Sequence, residues 1–338
     1  MCPLVHGNPY QQLLVRALEA AGAETVKVKY LKVAHVLFAR RRETMVNLHW
    51  PELIVNSNGR GRLDDFRYAA RALQLLASLA VARLRGMRVV WTVHNLVPHE
   101  ARRPRLDLAL NRCIARLPTA VVAHSRHAAR LAEETYRRRG IEVGYHGNYL
   151  EYYPESRRDR ERVRQDLGIP PDAFLVLAFG FIRPYKCLPE LIAAFAENDD
   201  PRLRLLIAGP PFNERVKAEV EAAAAADDRV VLRLERVPDE AVSELHAAAD
   251  VAALAYRDVF SSGALLLSLS CGLPVIAPAD STATELGDPP AVQPYRPGGL
   301  AAAIAGAAEH PPAAREDALA VARRYEWSAV ARLLLGSH

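Results

Sequence analysis

Arg183 and Lys186 stand three residues apart in Ala178-Phe179-Gly180-Phe181-Ile182-Arg183-Pro184-Tyr185-Lys186-Cys187-Leu188, directly after an apolar run that reads as a strand. Two cations in a short loop after a strand can clamp a diphosphate, because Arg offers a planar fork of donors and Lys a point charge. Ser261, Ser262 and Gly263, preceded by Phe260, open an apolar run of helical character that stops at Gly272-Leu273-Pro274. A helix N-terminus carries unpaired N–H groups and roughly half a positive charge, so it attracts phosphate, and Ser and Gly let oxygens approach the backbone. Each segment alone has a plain structural reading: inert loop cations in one case, an N-cap by Ser262 in the other. Together they describe a phosphate site. Such a site needs no metal, since fixed cations can stabilise the charge on a departing diphosphate.

A second set of residues could move protons. His94, His99 and Glu100 follow the strand expected over Arg88–Val93. His94 comes directly at the strand end, and an imidazole titrating near ~6.5 suits a general base at neutral pH. His49, His124 and His146 also follow strand-like runs; they read as structural or domain-interface residues.

These residues need elements to hold them. Apolar runs predict strands over Thr25–Val28, Met45–Leu48, Arg88–Val93 and Thr119–Ala123, then over Phe174–Phe179, Leu203–Ala208, Val230–Leu234, Val251–Ala255 and Pro274–Ala277. Helical patterns fall between them: Tyr10–Ala21, Asp64–Leu84, Leu106–Arg116 and Arg126–Arg139, then Leu188–Glu197, Asn213–Ala226, Asp239–Ala248, Gly263–Cys271, Gly299–Glu309 and Ala313–Leu335. Helices alternating with continuously apolar strands force parallel sheets. Two such sets in succession make two doubly wound α/β domains joined near Gly147–Arg164. Ligands of such sheets bind at the carboxyl ends of the strands, where the residues above lie. No G-x-G-x-x-G follows a strand, and there is no G-x-x-x-x-G-K-[ST], which argues against a nicotinamide site and a P-loop.

The chain has 338 residues, half of them hydrophobic and a quarter charged, which suits two globular domains. The four cysteines are scattered without a C-x-x-C pair, which argues against a zinc site or a disulfide framework. The start does not read as a signal peptide, and no apolar run reaches the roughly 20 residues that span a bilayer. Residues 1–150 hold 24 Lys+Arg and 11 Asp+Glu, a balance of +13; the totals of 44 and 39 leave 20 and 28 for the remainder, a balance of −8. A basic half seeks phosphate, in nucleic acid or on a membrane surface. The absence of interleaved aromatics or a known binding motif argues against nucleic acid. The helix over Asp64–Leu84 carries a wide apolar face with Arg67, Arg71 and Arg83, and could lie on anionic lipid; the plainer reading is core on one face and solvent on the other.

The second half resembles the donor domain of the GT-B glycosyltransferases related to glycosyltransferase family four, and the resemblance spans nearly the whole chain. It rests on Gly180 with Arg183 and Lys186, on Ile207-Ala208-Gly209, on Leu245-His246-Ala247-Ala248-Ala249-Asp250, on the Ser–Gly helix start, on Glu285 after Thr282-Ala283-Thr284, and on Tyr325-Glu326-Trp327-Ser328. In the first half Asn8-Pro9-Tyr10, His49-Trp50-Pro51-Glu52, Thr92-Val93-His94-Asn95 and His146-Gly147-Asn148-Tyr149 are similar to the family as well. The resemblance implies a GT-B fold: two doubly wound Rossmann-like domains facing a central cleft. It implies an acceptor domain over 1–150, a nucleotide-sugar donor domain over 151–312, and a C-terminal helix over 313–338 crossing back to the first domain. The donor is a nucleotide-sugar, UDP- or GDP-linked, with no further cofactor. Arg183, Lys186, Ser261, Ser262 and Gly263 would hold its diphosphate, and Gly7, Asn8, Gly180, Gly209, Phe260 and Glu285 would line the donor site or cleft. His94 or Glu100 would act as base, and His99, Arg102, Arg103 and Arg105 would face an acceptor that is a glycan or lipid-linked.

Retaining members of that family carry two glutamates flanking seven residues; alignment on Gly272-Leu273-Pro274 puts those positions at Val259 and Leu267. Inversion, which needs a single base from the first domain, is favoured over retention on that ground alone. The expected function is transfer of a hexose-type sugar to an acceptor hydroxyl of a glycolipid, polysaccharide precursor or natural-product glycan. The expected place is the cytoplasm, peripheral on the inner face of the plasma membrane. The alternatives are a GT-B sugar-nucleotide epimerase and a catalytically impaired homologue acting as a partner protein.

Overall fold

The computed structural model describes all residues except 4, 6, 41–43, 57–60, 98–101, 157, 257–259, 261–262, 280, 288, 311–314 and 337–338. The chain divides into two compact units, one of residues 1–147 with 326–338 and the other of residues 148–325.

The first unit is built on a parallel sheet of β1 (Met45–Leu48), β2 (Arg88–Val93), β3 (Ala120–Ala123) and β4 (Glu142–Val143), in that order. The strand expected over Thr25–Val28 does not form. Those residues run extended beside Met1, whose N–H donates to the Val26 carbonyl at 2.8 Å while the Val28 N–H donates to the Met1 carbonyl at 3.0 Å. On its other side the first segment bridges β1 at Cys2 and Leu48. Residues 1–2 thus lie between an earlier-returning segment and β1, and the order reverses beside the loop that carries Gly7 and Asn8. The helices Pro9–Ala20 and Trp327–Leu335 pack together over this sheet, burying Leu14, Leu18, Val330 and Leu334 with Val90 and Val122. Arg88 fastens the end of the last helix by donating to the Leu334 and Leu333 carbonyls at 2.7 and 3.1 Å.

In the second unit the sheet runs β10-β9-β8-β5-β6-β7, all parallel, with β5 (Phe174–Phe179), β6 (Leu203–Ala208), β7 (Val230–Arg233), β8 (Val251–Ala253), β9 (Val275–Pro278) and β10 (Val292–Tyr295). Successive strands spread one way from β5 and the other way from β8. The crevice at the carboxyl ends of that adjacent pair is where an open parallel sheet accepts a ligand. The strands β5, β8 and β9 are apolar throughout because helices cover both faces, and Leu175, Leu177, Leu205 and Ile207 are fully buried.

The single helix expected over Ala313–Leu335 is two, Arg315–Arg323 and Trp327–Leu335. The break has side-chain and backbone causes. Asn148 donates from its side chain to the Ala322 carbonyl at 3.1 Å and from its backbone to the Tyr325 carbonyl at 2.8 Å, and the Tyr325 hydroxyl donates to the Leu286 carbonyl at 2.7 Å. Short helices at Val33–Phe38, Pro51–Val55 and Ala283–Leu286, and the strands β4 and β10, had no expectation in the sequence.

Candidate functional site

The loop after β5 is anchored on the loop after β6. Gly180 N–H donates to the Ala208 carbonyl, Ile182 N–H to the Pro210 carbonyl and Phe212 N–H to the Ile182 carbonyl, each at 2.9 Å. This close approach needs glycine: a Cβ on Gly209, whose φ is +144°, would lie 2.4 Å from the Gly180 carbonyl oxygen. Gly180 has φ +99°, a conformation that L side chains rarely adopt. The chain then makes a short 3₁₀ turn, Pro184–Lys186, and enters the helix Leu188–Ala196.

That geometry sets the two cations differently. Lys186 turns back over the strand end: it is buried, its Nζ donates to the Phe179 carbonyl at 3.0 Å, and it lies 5.5 Å from the Tyr256 ring centroid. Burial, with the Arg183 guanidinium nearby, brings its pKa down to about 7. Arg183 is half-buried between two aromatic faces, 4.7 Å from the Phe181 centroid and 5.0 Å from that of Phe212. Stacking of this kind fixes a guanidinium without neutralising it. Phe212 and Tyr256 had no place in the sequence expectation. The signal for Phe212 was available in Gly209-Pro210-Pro211-Phe212, a second glycine loop following a neighbouring strand.

The helix Gly263–Ser270 opens at the carboxyl side of β8. Ser261 and Ser262 lie outside the described residues, as do His99 and Glu100. Phe260 is buried, and its carbonyl accepts the Thr282 hydroxyl at 3.0 Å. Glu285 is half-buried in the helix Ala283–Leu286.

In the first unit a histidine follows each strand: His49 after β1, His94 after β2, His124 after β3 and His146 shortly after β4. All four are buried and gather round the Tyr10 ring, at centroid distances of 5.6, 4.9, 5.6 and 4.8 Å. His94 stacks on Trp50 at 4.2 Å, and its Nε2 is 3.0 Å from His49 Nδ1. His124 and His146 hold backbone carbonyls through Nδ1, at 2.8 Å to Gly144 and 2.6 Å to Gly147. Burial lowers all four: His49 and His146 to about 3, His124 to about 4, and His94 well below 6.5, with neighbouring imidazoles adding to the effect at His49, His94 and His146. The four rings are therefore neutral at physiological pH. Three of them, read singly, looked structural; their convergence on Tyr10 comes from the parallel register that places successive strand ends side by side.

The remaining first-unit residues are placed as follows. Asn8 caps the helix Pro9–Ala20, its Oδ1 accepting the Tyr10 N–H at 2.9 Å, and Gly7 is exposed in the preceding turn. Arg103 is committed to the helix beside it: it donates to Asp65 at 2.6 and 2.9 Å and to Asp64 at 3.0 Å. Arg102 and Arg105 are exposed. Glu52, next to Trp50-Pro51, is a carboxyl that the sequence did not single out; burial raises its pKa to about 7. Among the described residues no group of three or more His, Cys, Asp and Glu is arranged to hold a metal ion.

Residues 159–316, which include the whole switch-point loop, match the family Glycosyl transferases group 1. The GDP-mannose:glycolipid 4-beta-D-mannosyltransferase of Xanthomonas campestris pv. campestris is 31% identical over 287 residues, 85% of this chain and 74% of that protein. This chain belongs to the group 1 glycosyltransferases. Among solved structures it is similar to sucrose-phosphate synthase from Thermosynechococcus elongatus, with TM-score 0.68 and 20% identity over 98% of this chain and 96% of that one. It is also similar to Anabaena HepE in complex with UDP-glucose, with TM-score 0.63 and 20% identity over 82% and 83%. Those likenesses show the GT-B fold. In a group 1 glycosyltransferase of this fold the substrate is a nucleotide-sugar, and the second unit carries the segment by which the family is matched.

Proposed function

We propose that this glycosyltransferase moves a hexose, mannose from GDP-mannose in the first instance, to a hydroxyl of a lipid-linked glycan, with inversion at the anomeric carbon. The observation that carries the donor half is the pair Arg183 and Lys186 at the strand-order reversal of the second sheet. One cation is held by two aromatic faces and the other by a strand-end carbonyl, a fit for the two phosphates of a nucleoside diphosphate. As the sugar leaves, negative charge collects on the terminal phosphate, and these preorganised cations offset it without a metal.

The nucleotide and the sugar are argued from the Xanthomonas relative. The same name supports inversion, because GDP-mannose holds its sugar in an α linkage and that relative forms a β linkage. Retention is the commoner outcome in the family; Val259 and Leu267, at the positions where retaining members carry carboxylates, are the second support for inversion. An inverting displacement needs one base. His94 is assigned that role: it is neutral, and His49 Nδ1 at 3.0 Å can accept a hydrogen bond from the imidazolium that forms. The acceptor oxygen gives its proton to His94 as it bonds to the anomeric carbon, and the bond from that carbon to the diphosphate breaks, releasing GDP. Arg102 and Arg105 are assigned to the phosphates of the lipid-linked acceptor. The place of work is the inner face of the plasma membrane, where cytoplasmic donor and lipid-linked acceptor meet.

The test is product analysis. GDP-mannose and UDP-hexoses would be supplied with a lipid-linked acceptor and the new linkage read by NMR. A β-mannoside is expected. An α-linked product would overturn inversion, and transfer from UDP-hexoses alone would overturn the choice of donor. In parallel, GDP at a hundredfold excess over its dissociation constant should stabilise the fold by about 2.7 kcal/mol, with or without magnesium.

A further inference from the structure

The helix Arg62–Leu84 shows two unlike sides. Asp64, Tyr68, Leu75, Ser78, Leu79 and Ala82 are buried. At about 100° per residue the opposite side is formed by Leu63, Phe66, Ala70, Leu73, Ala77 and Leu84. Phe66 is 71% exposed, Leu73 69% and Leu84 87%. From Leu63 to the end of the helix that outward side carries no charged side chain, whereas a helix face turned to water is ordinarily polar. The exposed apolar stretch from Leu63 through Phe66 to Leu73, with Leu84 at the far end, marks a contact.

The charges stand at the margins. Arg62 lies at the start of the helix, Arg67 along one edge and Arg83 along the other, all exposed. The neighbouring helix Pro104–Ile114 adds exposed Arg105 and Leu106. Of the two acids in the helix, Asp64 is buried and Asp65 is bound by Arg103 at 2.6 Å.

We propose that this face of the helix Arg62–Leu84 is the surface on which the chain lies against an anionic lipid bilayer. Apolar side chains in the middle and arginines along the rim match the acyl boundary and the lipid phosphates respectively. A second copy of the chain is the poorer occupant, since pairing the face with itself sets rim arginines against rim arginines with no available acid between them. The helix lies on the bilayer and does not cross it: among the described residues no helix is long and apolar enough to span. The inference rests on the lipid-linked acceptor proposed above for its purpose, and its surface chemistry can be tested apart from it.

The experiment is co-sedimentation of the full chain with vesicles of phosphatidylcholine alone or mixed with phosphatidylglycerol. Binding to the mixed vesicles is expected, weakened by salt, with binding to the neutral ones weaker by about tenfold or more. Combining Phe66→Ser and Leu73→Ser should weaken binding to the mixed vesicles by about tenfold or more, because two large side chains no longer enter the acyl boundary. The thermal shift with GDP should persist in that variant and so report an intact fold. Arg62→Ser with Arg67→Ser should lose several-fold on mixed vesicles only. A wild type that ignores the mixed vesicles, or a serine variant that binds them as well, would overturn the proposal. So would a wild-type dimer that the serine pair dissociates, which would assign the face to a second copy. Vesicle binding without transfer to any lipid-linked acceptor would uphold the surface and overturn the acceptor reading.

Discussion

Raising the pH from about 7 to about 9 should weaken the binding of GDP by about fiftyfold, and the reason is Lys186. Its ammonium is buried over the end of β5 beside Arg183, which brings its pKa down to about 7. A bound diphosphate puts opposite charge against the protonated form and raises that pKa again. Above pH 7 the free protein holds a neutral amine and the complex a charged one, so binding takes up a proton. The charged fraction of the free protein falls from about a half at pH 7 to about a hundredth at pH 9, so affinity falls about fiftyfold over those two units, about 2.3 kcal/mol. Below pH 7 Lys186 is already charged in the free protein and contributes no further dependence. Calorimetry of GDP binding in buffers of unlike ionisation enthalpy would show proton uptake approaching one at about pH 8. Lys186→Met keeps the bulk and removes the titration; it should bind weakly at pH 7 and lose little more on going to higher pH. A wild-type affinity that stays level across this window, or a variant that keeps the slope, would refute the reasoning.

Further outcomes follow from other parts of the structure. His94→Ala should lower turnover by about a hundredfold or more, the usual yield of a positioned base, while GDP binding is retained; full turnover would remove His94 from the reaction. The four depressed imidazoles make the first unit acid-sensitive: their contribution is fully present above the unfolded pKa of ~6.5 and is lost as pH falls toward 4. Each imidazole costs about 1.4 kcal/mol per pH unit in that window, so melting should fall steeply between about pH 6.5 and pH 5; a flat profile would mean that the rings are hydrated. Gly209→Ala should destabilise by about 1–3 kcal/mol through strain at positive φ and the clash with the Gly180 carbonyl, and should weaken GDP binding by shifting Arg183; an unchanged melting temperature would count against the close approach of the two loops.

Much of this was legible in residue order. The strands β1, β2, β5 and β6 begin and end where the apolar runs do, because strands covered on both faces are mostly apolar. The strands β4 and β10 were not legible, being two residues long in one case and interrupted by Pro294 and Gln293 in the other. The break in the last helical run is likewise invisible locally, since Arg324-Tyr325-Glu326 is acceptable helix sequence and it is distant Asn148 and Leu286 that take up its backbone and side-chain groups.

The candidate site divides in the same way. Gly180, Arg183 and Lys186 are neighbours in sequence, so strand, turn and cations could be read together. By itself the sequence determined the fold class, two parallel α/β sheets, and the presence of a phosphate-seeking loop after a buried strand, because periodicity and local spacing are properties of contiguous residues. Tertiary structure alone decided that Phe212 and Phe181 clasp Arg183, that Lys186 turns back into the protein and loses basicity, and that four histidines from four strand ends meet round Tyr10. Those facts depend on strand order, register and burial, which bring together residues tens of positions apart and which no short stretch of sequence contains.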